Sequence, residues 1–132
     1  ETDEHLRSLN YFGKKIGLAF QVVDDILDFT GNDQQLGKPA STDLASGYLT
    51  APALYALEDN SKLAKLIDRE FSNESDLSEA LDIVKNSGAI NKTRQLAEEF
   101  AFDAKESIRW LPDSPYKEAL LKLPDFVLGR LY

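Results

Sequence analysis

Apolar residues recur along this chain at spacings of three, four and seven, so the periodic stretches read as helix rather than strand. Residues 3–30 are apolar or long-chained and free of proline, and Gly31 follows as a stop signal. Gly, Asn, Asp, Ser and Pro concentrate in 31–47, which is loop composition. A helix restarts at Thr50, an N-cap residue with Pro52 in the first turn, and reaches about Asp59. Asn60-Ser61 breaks the pattern, and a short helix covers 62–71. Ser75 or Asp76 caps a helix to about Asn86, with Glu79 placed for a capping box on Asp76. Gly88 suits the left-handed position that closes a helix. Residues 89–111 form a long helix whose apolar stripe is Ile90, Ala97, Ala101, Ala104, Ile108 and Leu111, and Pro112 ends it. Ser114-Pro115 opens a last helix, in which Pro124 predicts a kink or break. The expected fold class is all-α.

Composition narrows the chemistry. The 132 residues suffice for one domain, and 42% hydrophobic with 29% charged residues is a globular balance. The net charge of −8 argues against a nucleic-acid-binding face, which needs basic residues. It leaves phosphate ligands open, because a divalent cation can bridge acid to phosphate. With no cysteine, disulfides, thiolate metal sites and cysteine nucleophiles are excluded. A single histidine, His5, excludes a multi-His metal centre. No apolar run has the length of a transmembrane segment, and the acidic first nine residues have neither signal nor transit character. The chain starts at Glu1 within a helical pattern and contains no methionine, so we expect the C-terminal piece of a longer protein.

The informative stretch is Phe20-Gln21-Val22-Val23-Asp24-Asp25-Ile26-Leu27-Asp28. At about 100° per residue, with Gln21 at zero, Asp24 lies near −60°, Asp25 near +40° and Asp28 near −20°. Gly17 falls near −40° one turn earlier, on the same wedge. Apolar residues fill the rest of the circumference, which marks a helix buried in a larger core. Like charges at i,i+4 cost about 0.2–0.5 kcal/mol even when exposed. Burial raises that to several kcal/mol per ion unless a cation compensates. Mg²⁺ takes oxygen ligands from one or two carboxylates and completes its shell with phosphate oxygens and water. A D-D-x-x-D strip on a buried helix therefore suggests a metal–phosphate site; the alternative is an ordinary solvated polar face. Gly13 and Gly17 cost helix stability. Either something passes close by, or they serve close helix packing.

These residues and those after them resemble the trans-type polyprenyl diphosphate synthases. The family's G-x-x-x-G-x-x-F-Q-x-x-D-D-x-x-D is read here as Gly13, Gly17, Phe20, Gln21, Asp24, Asp25 and Asp28. Its G-K, D-L and G-K-x-T-x-P follow as Gly37-Lys38, Asp43-Leu44, Gly47-Tyr48, Thr50 and Pro52. The stretch is most similar to the solanesyl-type long-chain branch of cyanobacteria and plastids. The resemblance implies the C-terminal helices of an isoprenoid-synthase-type bundle within a single synthase domain. It further implies a homodimer in the full-length enzyme, and a cytoplasmic or plastid setting. Allylic prenyl diphosphate and isopentenyl diphosphate are the implied substrates and Mg²⁺ the cofactor. Asp24, Asp25 and Asp28 are the implied metal ligands, and Lys38 the allylic diphosphate contact. Phe20 and Gln21 are implied beside the reacting chain, and Asp43 as an organiser of a lid loop over 31–47. Asp24, Asp25 and Lys38 are thereby implied to carry the catalytic role. Two departures stand out: Tyr48 occupies the second lysine position, and the family's first aspartate-rich motif is absent from these 132 residues. Alone, the chain is expected to be inactive, so a non-catalytic fragment or subunit that binds diphosphate or a partner chain is the alternative. A helical interaction domain and a terpene cyclase are more distant readings, and the G-K…D-L…T-x-P stretch argues against the cyclase.

Elsewhere, Trp110 is expected in a core and Arg130 on the surface, with reach to a phosphate as the alternative for Arg130. Glu98, Glu99 and Asp103 should lie on the solvated side of the long helix. Arg7, Arg69 and Arg94 are candidates for carboxylate pairing, and His5 for a structural or exposed position.

Overall fold

The computed structural model describes residues 2–31 and 42–132 of the chain. Among the described residues there are seven helices and no strand: α1 (Asp3–Thr30), α2 (Thr42–Ala45), α3 (Ala51–Asp59), α4 (Ser61–Asp68), α5 (Asp76–Asn86), α6 (Ala89–Ser107) and α7 (Pro115–Gly129). They form two compact units, one of Glu1–Val23 with Gln95–Tyr132 and one of Asp24–Arg94.

In the first unit, Phe12 of α1 packs with Ala104 of α6 and Ile108, and Ile16, Leu111, Leu120 and Leu121 close around them. The expected stripe on α6 is buried at Ala97, Ala101 and Ala104. On α1, the ammonium of Lys15 lies 5.1 Å from the Tyr11 ring centroid and 5.0 Å from that of Phe100, with Asp103 at 3.7 Å. Two aromatic faces and a carboxylate thus hold one cation on α1 against α6.

The helix α6 ends at Ser107, four residues before the expected end at Leu111. Its continuation tightens into i→i+3 bonds, Ile108 N–H to Lys105 C=O at 3.3 Å and Arg109 N–H to Glu106 C=O at 3.3 Å. Lys117 stops the chain there, donating to the carbonyls of Arg109 at 3.0 Å and Leu111 at 2.8 Å. This change of winding carries Trp110 out of the core, contrary to expectation, and leaves it 40% exposed. Its indole stacks on His5 with centroids 4.0 Å apart, and its N–H donates to Ser8 Oγ at 2.6 Å and Ser107 C=O at 3.0 Å.

The Ser114 hydroxyl accepts from Lys117 N–H at 3.1 Å and caps α7 as expected. Pro124 does not break this helix, which continues to Gly129 with the proline buried inside it.

The second unit is built on Phe29, Leu44, Leu63, Leu66 and Val84, with Ala53, Ala56, Ala80 and Ala89 between them. Asn60 both ends α3 and caps α4, its side-chain Oδ1 accepting from Leu63 N–H at 3.0 Å. Three expectations need correction here. First, α4 stops at Asp68 rather than 71. Phe71 N–H reaches Leu66 C=O at 3.1 Å and Glu70 N–H reaches Ile67 C=O at 2.9 Å, a Schellman closure with Glu70 in the left-handed region at φ 55°. Second, the capping box does not form. Asp76 N–H is taken by Asn73 C=O at 3.0 Å, and Glu79 pairs with Lys62 instead. Third, Gly88 is not the left-handed closing residue. Ser87 ends α5 in an extended conformation, and the Gly88 carbonyl already accepts from Lys92 N–H at 3.0 Å as α6 begins.

Candidate functional site

The aspartate strip lies on α1, and the winding that sequence predicts is present throughout Asp3–Thr30. Around it, Val22, Val23, Ile26, Leu27 and Phe29 are buried, so this part of the helix is enclosed on its apolar sides. The acids share that burial unequally. Asp28 is 0% exposed and Asp25 8%, whereas Asp24 is half-buried and Gln21 exposed. Phe20 is 45% exposed, one residue before Gln21. A solvated polar face would show all three carboxylates in water. Two of them are withdrawn from it, where an ionised group requires compensation from its surroundings.

Gly13 and Gly17 are exposed, and an added Cβ at either position would meet nothing within 4 Å. Close helix packing is therefore not what these glycines serve among the described residues.

The second motif segment reads differently. Asp43 and Leu44 lie in the short helix α2, which replaces part of the expected loop. Leu44 is 1% exposed and shares a core with Phe29, so residues adjacent to Asp43 and Asp28 meet in the same apolar cluster. After α2, Tyr48 N–H bonds Asp43 C=O at 2.8 Å and Gly47 N–H bonds Leu44 C=O at 3.0 Å. This is a second Schellman closure, with Gly47 at φ +86°. The motif glycine is thereby accounted for by backbone geometry, since a Cβ there would be strained. Tyr48 is 67% exposed. Thr50 stands at the N-cap of α3 in an extended conformation, but its side chain makes no capping bond, and Pro52 is buried in the first turn as expected. Lys38, Gly37 and most of the proposed lid loop lie outside the described residues.

Among the described residues, no three His, Asp or Glu side chains converge closely enough to hold a metal ion by themselves. The strip can contribute oxygen ligands to a hard cation, and others must complete its shell.

Residues 1–84 match the Polyprenyl synthetase family, and the chain belongs to it. A prenyl transferase of Cyanophora paradoxa is 52% identical over 121 residues, covering 92% of this chain and 38% of that protein. The chloroplastic solanesyl diphosphate synthase 2 of Arabidopsis thaliana is 48% identical over 120 residues, 91% of this chain and 29% of that protein. The crystal structure of a Caulobacter crescentus polyprenyl synthase, complexed with calcium and isoprenyl diphosphate, aligns with a TM-score of 0.84 at 34% identity. The alignment covers 96% of this chain and 40% of that one. The fold is thus the helical fold of the isoprenoid synthases, and the chain spans two fifths or less of the length of these relatives. Among the described residues, no helix is long and apolar enough to cross a membrane.

One contact escaped the sequence. The guanidinium carbon of Arg130 lies 4.7 Å from the centroid of the Phe20 ring. The partners are 110 positions apart, and no local pattern connects them.

Proposed function

We propose that this chain supplies the second aspartate motif of a long-chain polyprenyl diphosphate synthase. The reaction is ionisation of an allylic diphosphate and condensation of the resulting cation with isopentenyl diphosphate. The observation that carries the reading is the burial of Asp28 and Asp25 on motif spacing in a helix apolar on its other sides. Buried acids on this spacing fit a site that receives a cation together with an anion.

Asp24, Asp25 and Asp28 would hold Mg²⁺, which supplies positive charge to the departing diphosphate. Lys38 would add a fixed positive charge on the same leaving group. Gln21 and Phe20 would orient the prenyl chain, and the apolar body of α1 would keep water from the cation. Asp43 would organise the residues that precede it over the bound substrate. Tyr48 offers a hydroxyl donor without charge, so it cannot replace a lysine in neutralising phosphate. After the C–O bond breaks, the double bond of isopentenyl diphosphate attacks the allylic carbon, and loss of one proton restores a neutral chain.

A second reading has its own support. The chain spans 38% and 29% of two relatives, which favours a chain that would form part of a single synthase domain. It would then bind diphosphate, or the complementary part of the synthase, without turnover. Homodimer formation and a cytoplasmic or plastid setting belong to the complete enzyme on this view.

The test is a titration of the chain with Mg²⁺ and a diphosphate analogue, followed by calorimetry or NMR. Saturable binding that requires Mg²⁺ and disappears in Asp24→Ala/Asp25→Ala is expected. Absence of Mg²⁺-dependent binding, or a double variant that binds unchanged, refutes the site.

A further inference from the structure

The C-terminal residues are wound in place. Arg130 N–H bonds Val127 C=O at 3.3 Å, Leu131 N–H bonds Leu128 C=O at 3.0 Å, and Tyr132 N–H bonds Gly129 C=O at 3.2 Å. The Tyr132 hydroxyl lies 3.4 Å from Glu98 Oε1 on α6. From this anchored end, the half-buried Arg130 places its guanidinium 4.7 Å from the centroid of the Phe20 ring. That separation is within the range of a cation–π contact. Phe20 precedes Asp24 by four residues, so it shares a helix face with that acid about 6 Å back along the axis.

We propose that Arg130 is a positioning residue that acts through Phe20, fixing the ring on the Asp24 side of α1 as a wall for the prenyl chain of a bound substrate. The role rests on the prenyl-transfer reading of the aspartate strip. The ring is 45% exposed, and on this reading the planar guanidinium limits its rotation. Arginine suits this task because its charge is permanent and its plane can lie on a ring; an ammonium is a compact, strongly hydrated point charge.

The test separates the chain-binding wall from the phosphate site. The unaltered chain, Arg130→Lys, Arg130→Gln, Phe20→Leu and the Phe20→Leu/Arg130→Gln double variant are each titrated with Mg²⁺ plus inorganic pyrophosphate. The same set is then titrated with Mg²⁺ plus farnesyl thiolodiphosphate, and thermal midpoints are recorded throughout. The affinity gained from the farnesyl chain should fall roughly two- to five-fold in Arg130→Gln, the size of a half-exposed cation–π contact. It should fall less in Arg130→Lys, and Arg130→Gln should add nothing on a Phe20→Leu background. Pyrophosphate affinity should stay constant in Arg130→Lys and Arg130→Gln. An unchanged farnesyl gain refutes the inference, as does an Arg130→Gln effect that persists without the ring, or a parallel loss of pyrophosphate binding. If Arg130→Gln fails to fold, Arg130→Lys decides. Failure of the unaltered chain to bind Mg²⁺ and pyrophosphate overturns the functional reading, and this role with it.

Discussion

Arg69 grips the carboxylate of Asp76 with both prongs of its guanidinium, Nε to Oδ2 at 2.7 Å and Nη2 to Oδ1 at 2.5 Å. Asn73 N–H adds a third bond at 3.0 Å, and the acid is 1% exposed. These bonds hold the Asp76 carboxyl below the ordinary aspartate range, the Arg69 hydrogen bond first, against a burial effect in the opposite direction. The unfolded chain, with its ordinary aspartate, therefore binds more protons in the window between the two values. Stability from this group is complete above the ordinary aspartate pKa and is lost as pH falls through the lowered folded one. Thermal midpoints measured from pH 6 down to pH 2 should decline, and Asp76→Asn should flatten the part of the decline near and below the ordinary aspartate pKa. Parallel curves for the two proteins would refute this assignment.

The two Schellman closures predict opposite responses to glycine exchange. Gly47 is at φ +86° with nothing near an added Cβ, so Gly47→Ala should destabilise through backbone strain alone, by about 1–2 kcal/mol. Glu70 accepts the same kind of strain at φ 55°, and its charge sits unfavourably beside a helix C-terminus. Glu70→Gly should therefore stabilise, by about 1 kcal/mol. Urea denaturation of both variants checks the signs, which a contact-based view of either residue would not produce.

Gly17 offers a trade between stability and binding. Alanine there meets open space and improves helix propensity, so Gly17→Ala should raise stability by up to about 1 kcal/mol. If a ligand approaches this face of α1, the added methyl should also weaken Mg²⁺-dependent binding of a diphosphate analogue. Greater stability with undiminished binding would remove Gly17 from the site.

Lys117 is worth more than a surface lysine. Its side chain is only 15% exposed and its ammonium serves two carbonyls at the end of α6, with Asp113 at 3.4 Å. Lys117→Met keeps the stem and removes three donors. A loss of about 1.5–3 kcal/mol in denaturant unfolding is expected, the range for hydrogen bonds to a charged group.

Much of the architecture could be read from the chain because it depends on periodicity. The unbroken Asp3–Thr30 helix, the buried alanine stripe of α6, the break at Asn60 and the helix start at Ser114 all follow from local rules. The motif spacing led to the family, and the burial of Asp25 and Asp28 agrees with the enclosed helix expected there. What failed was competition between partners. Asp76 fits both a capping role and an ion pair, and Arg69, seven residues away, takes it. Trp110 is large and apolar enough for a core, yet the tightened turn after Ser107 hands it to His5 at the other end of the unit's sequence. Gly88 matched a closing signal, but the Ser87 hydroxyl already supplied one. The Arg130 contact with Phe20 depends on the tertiary course of the chain and has no signature in either segment.

That serine hydroxyl has a mechanical consequence. Ser87 Oγ donates to Val84 C=O at 2.8 Å and accepts from Ala89 N–H at 3.1 Å, so one atom finishes α5 and starts α6. Bending the corner would break both bonds at once, which makes the junction a rivet where a glycine beside it suggests a hinge. Slow amide exchange at Ala89 would be its signature, and Ser87→Ala should release it.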